Sequence, residues 1–142
     1  MDCPFCHDEV TADKTIIGES THAIAWLHES RAHRGHSVVA SRRHCENLTD
    51  LDEVEAADFL RLERTVESAV LSETDATSAV LVKLGLQVPH LHVHVYPVGA
   101  DFDRKEVMEV IDGKVTDTTT AEQKRVFAEL VKSRIEKDLA HE

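Results

Sequence analysis

The sequence predicts an α+β fold in which helices pack on one antiparallel sheet. Short β-prone runs at 16–17, 22–27 and 36–40 are separated by turn residues, a pattern typical of a three-stranded meander. After Leu51 the apolar residues recur at helical spacing with acidic residues between them, which indicates a long helix. Two further strands and a last helix follow. We therefore expect a meander sheet with a long helix packed on it and an extra C-terminal helix.

The long helix and the two later strands each have their own signal. Asp50 followed by Glu53 predicts the N-terminal cap of the helix. The run 79–82 is apolar enough for a buried strand, and the segment 88–96 alternates strictly from position 90. Both strands are therefore expected to be central in the sheet. The apolar stripe of the helix consists of Phe59, Leu62, Val66 and Val70.

The C-terminal segment predicts a terminal helix. Thr119 and Glu122 form a capping-box pattern at its start. Burying a large apolar side chain is worth roughly 1.5 to 3 kcal/mol, so an apolar stripe on this helix is expected to pack. Its contact is with the chain's own sheet, or else with a partner subunit or the substrate pocket. The stripe is made of Val126, Phe127, Leu130, Val131 and Ile135.

Composition and charge limit the possible functions. A chain of 142 residues with 42% apolar and 30% charged residues is of single-domain size. We find neither an apolar run long enough for a membrane span nor a basic region followed by an apolar stretch, and we expect a cytoplasmic protein. A formal net charge of -11 disfavours nucleic acid as a partner, because binding to a phosphate backbone depends on Lys and Arg. A small phosphate ligand needs only a local site of His side chains and backbone amides.

Three histidines at alternate positions, His90, His92 and His94, are the main functional signal. In a strand they lie on one face, while the apolar residues between them lie on the other. At about 3.3 Å per residue the outer two are about 13 Å apart, too far to share one metal ion through bonds of about 2 Å. Neutral imidazole is a good nucleophile near pH 7 when a hydrogen bond to one ring nitrogen leaves the other free. This pattern favours nucleophilic catalysis.

The segment His90-Leu91-His92-Val93-His94-Val95-Tyr96 matches the His-φ-His-φ-His-φ-φ motif without a gap, and in it the chain resembles the histidine triad family of nucleotide hydrolases and transferases. A second block is similar to the family's strand, Gly-His turn and basic-basic-His pattern. It includes Ala25-Trp26-Leu27, Gly35-His36-Ser37-Val38-Val39 and Arg42-Arg43-His44. The resemblance covers about Cys3 to Val98. We therefore expect a histidine triad domain at 1–100 and, at 101–142, a helical extension packed on the same domain.

The resemblance implies a role for each residue of the site. His92 is the nucleophile that takes the nucleotidyl group, His94 orients it and binds phosphate oxygens, and His36 lines the same pocket. Trp26 is assigned to the substrate site with them. Related transferases carry Gln at the third triad position, so His94 favours hydrolysis over transfer. A homodimer is also implied.

Cys3 and Cys6 have the two-residue spacing of half a zinc knuckle. With His7 they also match a covalent haem motif, but that attachment requires export. A redox dithiol normally opens a helix that follows a strand, whereas this pair lies at the start of the sequence. Zinc is therefore favoured over a redox role. Relatives with this cysteine pair complete the site with two histidines, which the resemblance carries to His44 and His90. Such a Cys2His2 site is closed and therefore structural.

The chain departs from the family at several positions. His28 stands where many members carry an Asp that holds the ribose, and both a ribose contact and an exposed strand-end His are open for it. Leu86 and Val98 replace an Asn and an Arg, which removes two phosphate-directed groups. Gln87 stands where relatives place a small polar residue near the leaving group, and we assign it to the substrate site.

Two functions from different classes follow. The first is a hydrolase that cleaves a nucleoside phosphoramidate or a dinucleoside polyphosphate through a nucleotidyl intermediate on His92. The second is a nucleotide-binding or regulatory module that keeps the fold and the zinc but has little turnover.

Overall fold

The computed structural model describes residues 3, 5–6, 15–28, 33–114 and 119–141. Five antiparallel strands form one sheet in the order β1-β2-β3-β5-β4, and helices pack on it, which confirms the α+β prediction. The strands are β1 Thr15–Glu19, β2 Ala23–Leu27, β3 Ser37–Ser41, β4 Ser78–Val82 and β5 His92–Val98. The α-helices are α1 Glu53–Ser72, α2 Arg104–Ile111 and α3 Ala121–Ala140.

The two faces of the sheet have different environments. One face joins the main hydrophobic core under α1 and α3, and it includes Ile17, Ala25, Val39, Val93 and Val95. The opposite face carries a smaller apolar cluster of Trp26, Val38 and Ala40. Strand pairing sets His94 opposite Val38 and His92 opposite Ala40. The alternation of β5 therefore puts both histidines on the face away from the main core.

The cap of α1 is two residues later than predicted. Asp52 is the N-cap, and its side chain accepts a hydrogen bond from the Glu55 amide at 2.8 Å. Asp50 ends a short 3-10 helix, and its carboxylate accepts from the backbone amides of Glu46 and Asn47 instead. The Asp50 cap was wrong because this carboxylate is used by the preceding turn.

The later strands differ from the prediction in two ways. β4 pairs only with β5 and is an edge strand, with Leu81 49% exposed, so its central position was predicted wrongly. β5 is central as predicted but begins at His92, not at Val88. Just before it, the Leu91 amide donates to the Cys45 carbonyl at 2.6 Å rather than joining the strand ladder.

The C-terminal helix α3 packs against α1 and β1. Its cap is Thr120 paired with Gln123, one residue after the predicted Thr119 and Glu122. The stripe is buried only in part, since Val126 and Leu130 are 42% and 49% exposed. Those two residues lie outside the face that contacts the core, so within one chain only part of the stripe packs, and a partner-subunit contact for the rest stays a prediction. The buried members are Phe127, Val131 and Ile135.

The short helix α2 was not predicted. Asp103 caps it through a box with Glu106, and Val110 is its buried residue. In the described part of the chain, neither this helix nor the two longer ones has the run of apolar residues needed to cross a bilayer.

The half-buried stripe of α3 gives a matched test of packing. Ile135 is fully buried in the main core, so Ile135→Ala should cost about 2 to 4 kcal/mol in the free energy of unfolding. Leu130→Ala removes a similar side chain from a largely exposed position and should cost less than about 1 kcal/mol. Urea unfolding followed by circular dichroism measures both. Equal losses for the two variants would contradict this placement of α3.

Candidate active site and metal centre

His92 lies at the start of the central strand β5 with 8% of its surface exposed. Its Nδ1 is 2.6 Å from the carbonyl oxygen of His90. A carbonyl can only accept, so Nδ1 carries the proton and donates it. The other ring nitrogen, Nε2, is therefore the unprotonated one in the neutral ring, which is the form that a histidine nucleophile requires.

His94 and His36 form a second imidazole pair beside it. His36 Nε2 and His94 Nδ1 are 2.8 Å apart, so one ring donates a proton to the other. The ring of His36 is stacked between Tyr96, at 4.1 Å, and His28, at 4.5 Å between centroids. These contacts hold His36 in a fixed orientation.

The turn before β3 positions His36. Gly35 has a φ of +87°, a conformation that L side chains rarely adopt, and a Cβ there would come within 2.7 Å of Pro97. A residue other than glycine would push this turn away from β5 and move His36 with it.

These side chains line one cavity of about 340 Å³ on the sheet face away from the main core. The loop between β4 and β5 and the end of α2 complete it. The described lining residues include no Lys, Arg, Asp or Glu. They are Phe5, Trp26, His28, His36, Val38, Val82, Leu84, Gly85, Leu86, Gln87, Val88, His92, His94, Tyr96 and Ile111.

A second cluster lies next to this cavity and consists of Cys3, Cys6, His44 and His90. Their four ligand atoms all lie within 4.8 Å of one another. His90 Nδ1 is 3.3 Å from Cys3 Sγ, 3.4 Å from Cys6 Sγ and 3.3 Å from His44 Nδ1. Such separations fit four ligands around one ion with bonds of about 2.1 to 2.3 Å. These four residues could therefore hold a metal ion.

His90 belongs to both clusters. Its Nε2 donates to the Ser41 carbonyl at 2.6 Å, which leaves Nδ1 unprotonated and directed toward the two cysteines. Burial lowers the pKa of His90, which favours the neutral ring that a metal ligand must be. Its carbonyl accepts the Nδ1 proton of His92. His90 thus links the cluster of two cysteines and two histidines to the candidate nucleophile His92.

The structure brings together the residues predicted for each site. The six assigned to catalysis and substrate binding line the same cavity: His92, His94, His36, Gln87, His28 and Trp26. His28 is half-buried and stacked on His36, not a fully exposed strand-end residue. Gln87 and Leu86 lie in the exposed loop at the cavity edge, with Leu86 84% exposed.

Nine of the fifteen described lining residues were not assigned to the site from the sequence, among them Tyr96, Phe5 and Ile111. Tyr96 continues the alternation of His92 and His94, and that period was a usable signal. Phe5 lies between the two cysteines, and the cysteine spacing indicated a metal site but no role for the residue between them. Ile111 lies beyond the segment that resembles the family and had no sequence signal.

Comparisons with known proteins agree with this architecture. The HIT domain model matches residues 9–100. An uncharacterized HIT-like protein of Mycoplasma genitalium is 30% identical over 106 residues, covering 67% of this chain and 72% of that protein. The nitrilase and fragile histidine triad fusion protein NitFhit of Caenorhabditis elegans is 27% identical over 111 residues, covering 74% of this chain. The chain spans about a quarter of that fusion protein and of its Drosophila melanogaster counterpart.

Solved structures show the same fold. A hypothetical histidine triad nucleotide-binding protein from Sulfolobus tokodaii superposes with a TM-score of 0.72 at 21% identity, covering 95% of this chain and 93% of the other. The family match spans the triad, the Gly-His turn and the whole sheet. The chain therefore belongs to the histidine triad, or HIT, domain family.

Proposed function

We propose that this protein is a nucleotidyl hydrolase that works through a covalent intermediate on His92. The observation that carries the proposal is the hydrogen bond from His92 Nδ1 to the His90 carbonyl, because it leaves Nε2 unprotonated at the edge of a cavity. A buried ring on a central strand loses little freedom on substrate binding, which favours a well-oriented attack.

The reaction proceeds in two displacements at phosphorus. His92 Nε2 attacks the α-phosphorus, the N–P bond forms, and the bond to the leaving group breaks as that group takes a proton. The His90 carbonyl stabilises the positive charge that develops on the His92 ring. Water then attacks the phosphorus and gives up a proton to solvent, the N–P bond breaks, the neutral ring is regenerated and a nucleoside monophosphate is released.

The lining of the cavity favours one substrate class. The Nε2 of His94, whose Nδ1 is paired with His36 Nε2, can donate to a non-bridging phosphate oxygen as charge develops on it. A polyphosphate chain carries several further negative charges, and no Lys or Arg is among the described lining residues to offset them. A nucleoside phosphoramidate, with one phosphoryl group, therefore fits better than a dinucleoside polyphosphate.

The competing function is a nucleotide-binding module with little turnover. Leu86 supports it, because an apolar side chain stands in the cavity-edge loop where a subgroup of the family has Asn. The two functions make the same prediction for nucleotide binding and opposite predictions for hydrolysis.

We propose zinc as the ion of the second cluster. Two thiols and two imidazoles are the donor set that Zn²⁺ takes in closed structural sites. Cys3, Cys6, His44 and His90 would hold it, and the ion would tie the N-terminal segment to the residue before β5. When bound, the ion would cross-link these two parts of the chain. With four protein ligands it would have no open coordination position for a substrate or water.

We further propose a homodimer, which the family resemblance implies. The edge strand β4 supports it, because its outer side is unpaired in the described part of the chain and Leu81 is exposed there. The acidic net charge supports a small-molecule nucleotide and not nucleic acid as the ligand.

The nucleophile is tested by His92→Ala with adenosine 5'-phosphoramidate as substrate. Hydrolysis should fall by at least ~1000-fold, because the variant lacks the group that forms the covalent bond. Binding of AMP, measured by calorimetry, should change by less than about tenfold. His22→Ala serves as the control, since that half-buried histidine is outside the cavity lining, and it should keep wild-type turnover.

Wild-type turnover by His92→Ala would exclude His92 as nucleophile. Binding of AMP by the wild-type protein without any hydrolysis would instead favour the binding module.

The metal proposal is tested by elemental analysis of protein purified without chelators. The wild-type protein should carry one zinc per chain, and Cys6→Ser should lose most of it and melt roughly 5 to 10 °C lower. Cys45→Ser changes a buried thiol outside the cluster and should retain the zinc. Full zinc occupancy in Cys6→Ser, or none in the wild type, would contradict this assignment.

A further inference from the structure

The segment that carries Cys3 and Cys6 faces two sites at once. Its thiols point to His44 and His90, whereas the ring of Phe5, between them, lines the substrate cavity. A backbone hydrogen bond from the Cys6 amide to the Cys3 carbonyl, 3.1 Å long, closes the turn. Phe5 therefore lies within the same short turn as the two predicted metal ligands.

Phe5 contacts the reaction centre directly. Its ring is edge-on to His92, with centroids 4.9 Å apart and an interplanar angle of 90°. It also meets Trp26 at 5.1 Å and His90 at 5.8 Å. On the sheet it packs against the cluster of Trp26, Val38 and Ala40. The ring thus forms a wall of the cavity beside the candidate nucleophile.

The contacts that hold this wall are unequal in strength. The described residues of this segment, Cys3, Phe5 and Cys6, lie in neither a helix nor a strand, so no ladder of backbone hydrogen bonds fixes these three residues. A single aromatic contact is much weaker than the binding of a zinc ion by four ligands. The position of Phe5 is therefore decided mainly by whether Cys3 and Cys6 are joined to His44 and His90.

We propose that Phe5 is the positioning residue that couples metal binding to the substrate cavity. When the four ligands share an ion, Phe5 is held against His92 and Trp26 and completes the wall. Without the ion the segment is released, and the cavity opens on that side. By reciprocity, a ligand that contacts Phe5 also strengthens metal binding. Only the nucleotide part of the test rests on the proposed function.

The first experiment uses Trp26, the single tryptophan of the chain, as a reporter beside Phe5. Zinc is added to metal-free protein, and the Trp26 emission should shift as Phe5 docks. Phe5→Leu should bind zinc with the same stoichiometry but lose most of the shift. Ile16→Ala is the matched control, because Ile16 packs on the same cluster from outside the metal segment, and it should keep the shift. An equal shift in wild type and Phe5→Leu would overturn the proposal.

The second experiment measures AMP affinity with and without zinc. We expect zinc to raise the affinity on the order of tenfold in the wild type, within the usual range of coupling between sites, and by less than about twofold in Phe5→Leu. An equal gain in both proteins would overturn the coupling. If AMP binds to neither form, the proposed function fails, and the Trp26 emission still decides the role of Phe5.

A third measurement avoids metal-free protein, which would unfold if the ion is essential for folding. In cobalt-loaded protein, AMP should perturb the visible absorption of the metal site in the wild type and leave it unchanged in Phe5→Leu. A perturbation of the same size in both would show that the metal senses the nucleotide without Phe5, and the proposal would be wrong.

Discussion

The hydrogen bond from His92 Nδ1 to the carbonyl oxygen of His90 is the contact on which the proposed chemistry depends. It selects the tautomer of the His92 ring. The acceptor is the backbone oxygen of His90, a residue that is itself held by several contacts. His90 is held through Nε2 by the Ser41 carbonyl, and its Nδ1 faces the two cysteines and His44. The peptide that orients the His92 ring is thus fixed from both sides.

The same arrangement would allow an acidic chain to bind the anion that we propose as its ligand. The net charge is -11, yet the described cavity lining has no carboxylate, and its titratable rings are mainly imidazoles. Hydrogen-bond donors close to a bound anion outweigh the repulsion from the net negative charge of the chain, because salt screens that repulsion beyond about 10 Å. Stacking of His36 between His28 and Tyr96 keeps these donors in place without any cationic side chain of the Lys or Arg type.

The sequence predicted those features that local geometry determines. Alternation along β5 sufficed to place His92 and His94 on one face, because a strand has a period of two wherever it lies in the sheet. It did not show that β4 is an edge strand, since an apolar run says nothing about the number of neighbours. The cap at Asp50 failed because a competing turn uses that carboxylate. Phe5 was missed because its place depends on a contact between Cys3 and His90, 87 residues apart.

The tautomer of His92 is the feature that tests this account most directly, and nitrogen-15 NMR of the histidine rings measures it. Comparison of the wild type with His92→Ala identifies the ring in the zinc-loaded protein. In the neutral ring we expect a proton on Nδ1 and none on Nε2. A ring protonated on Nε2 would contradict the account, because the nitrogen proposed to attack phosphorus would then carry a proton.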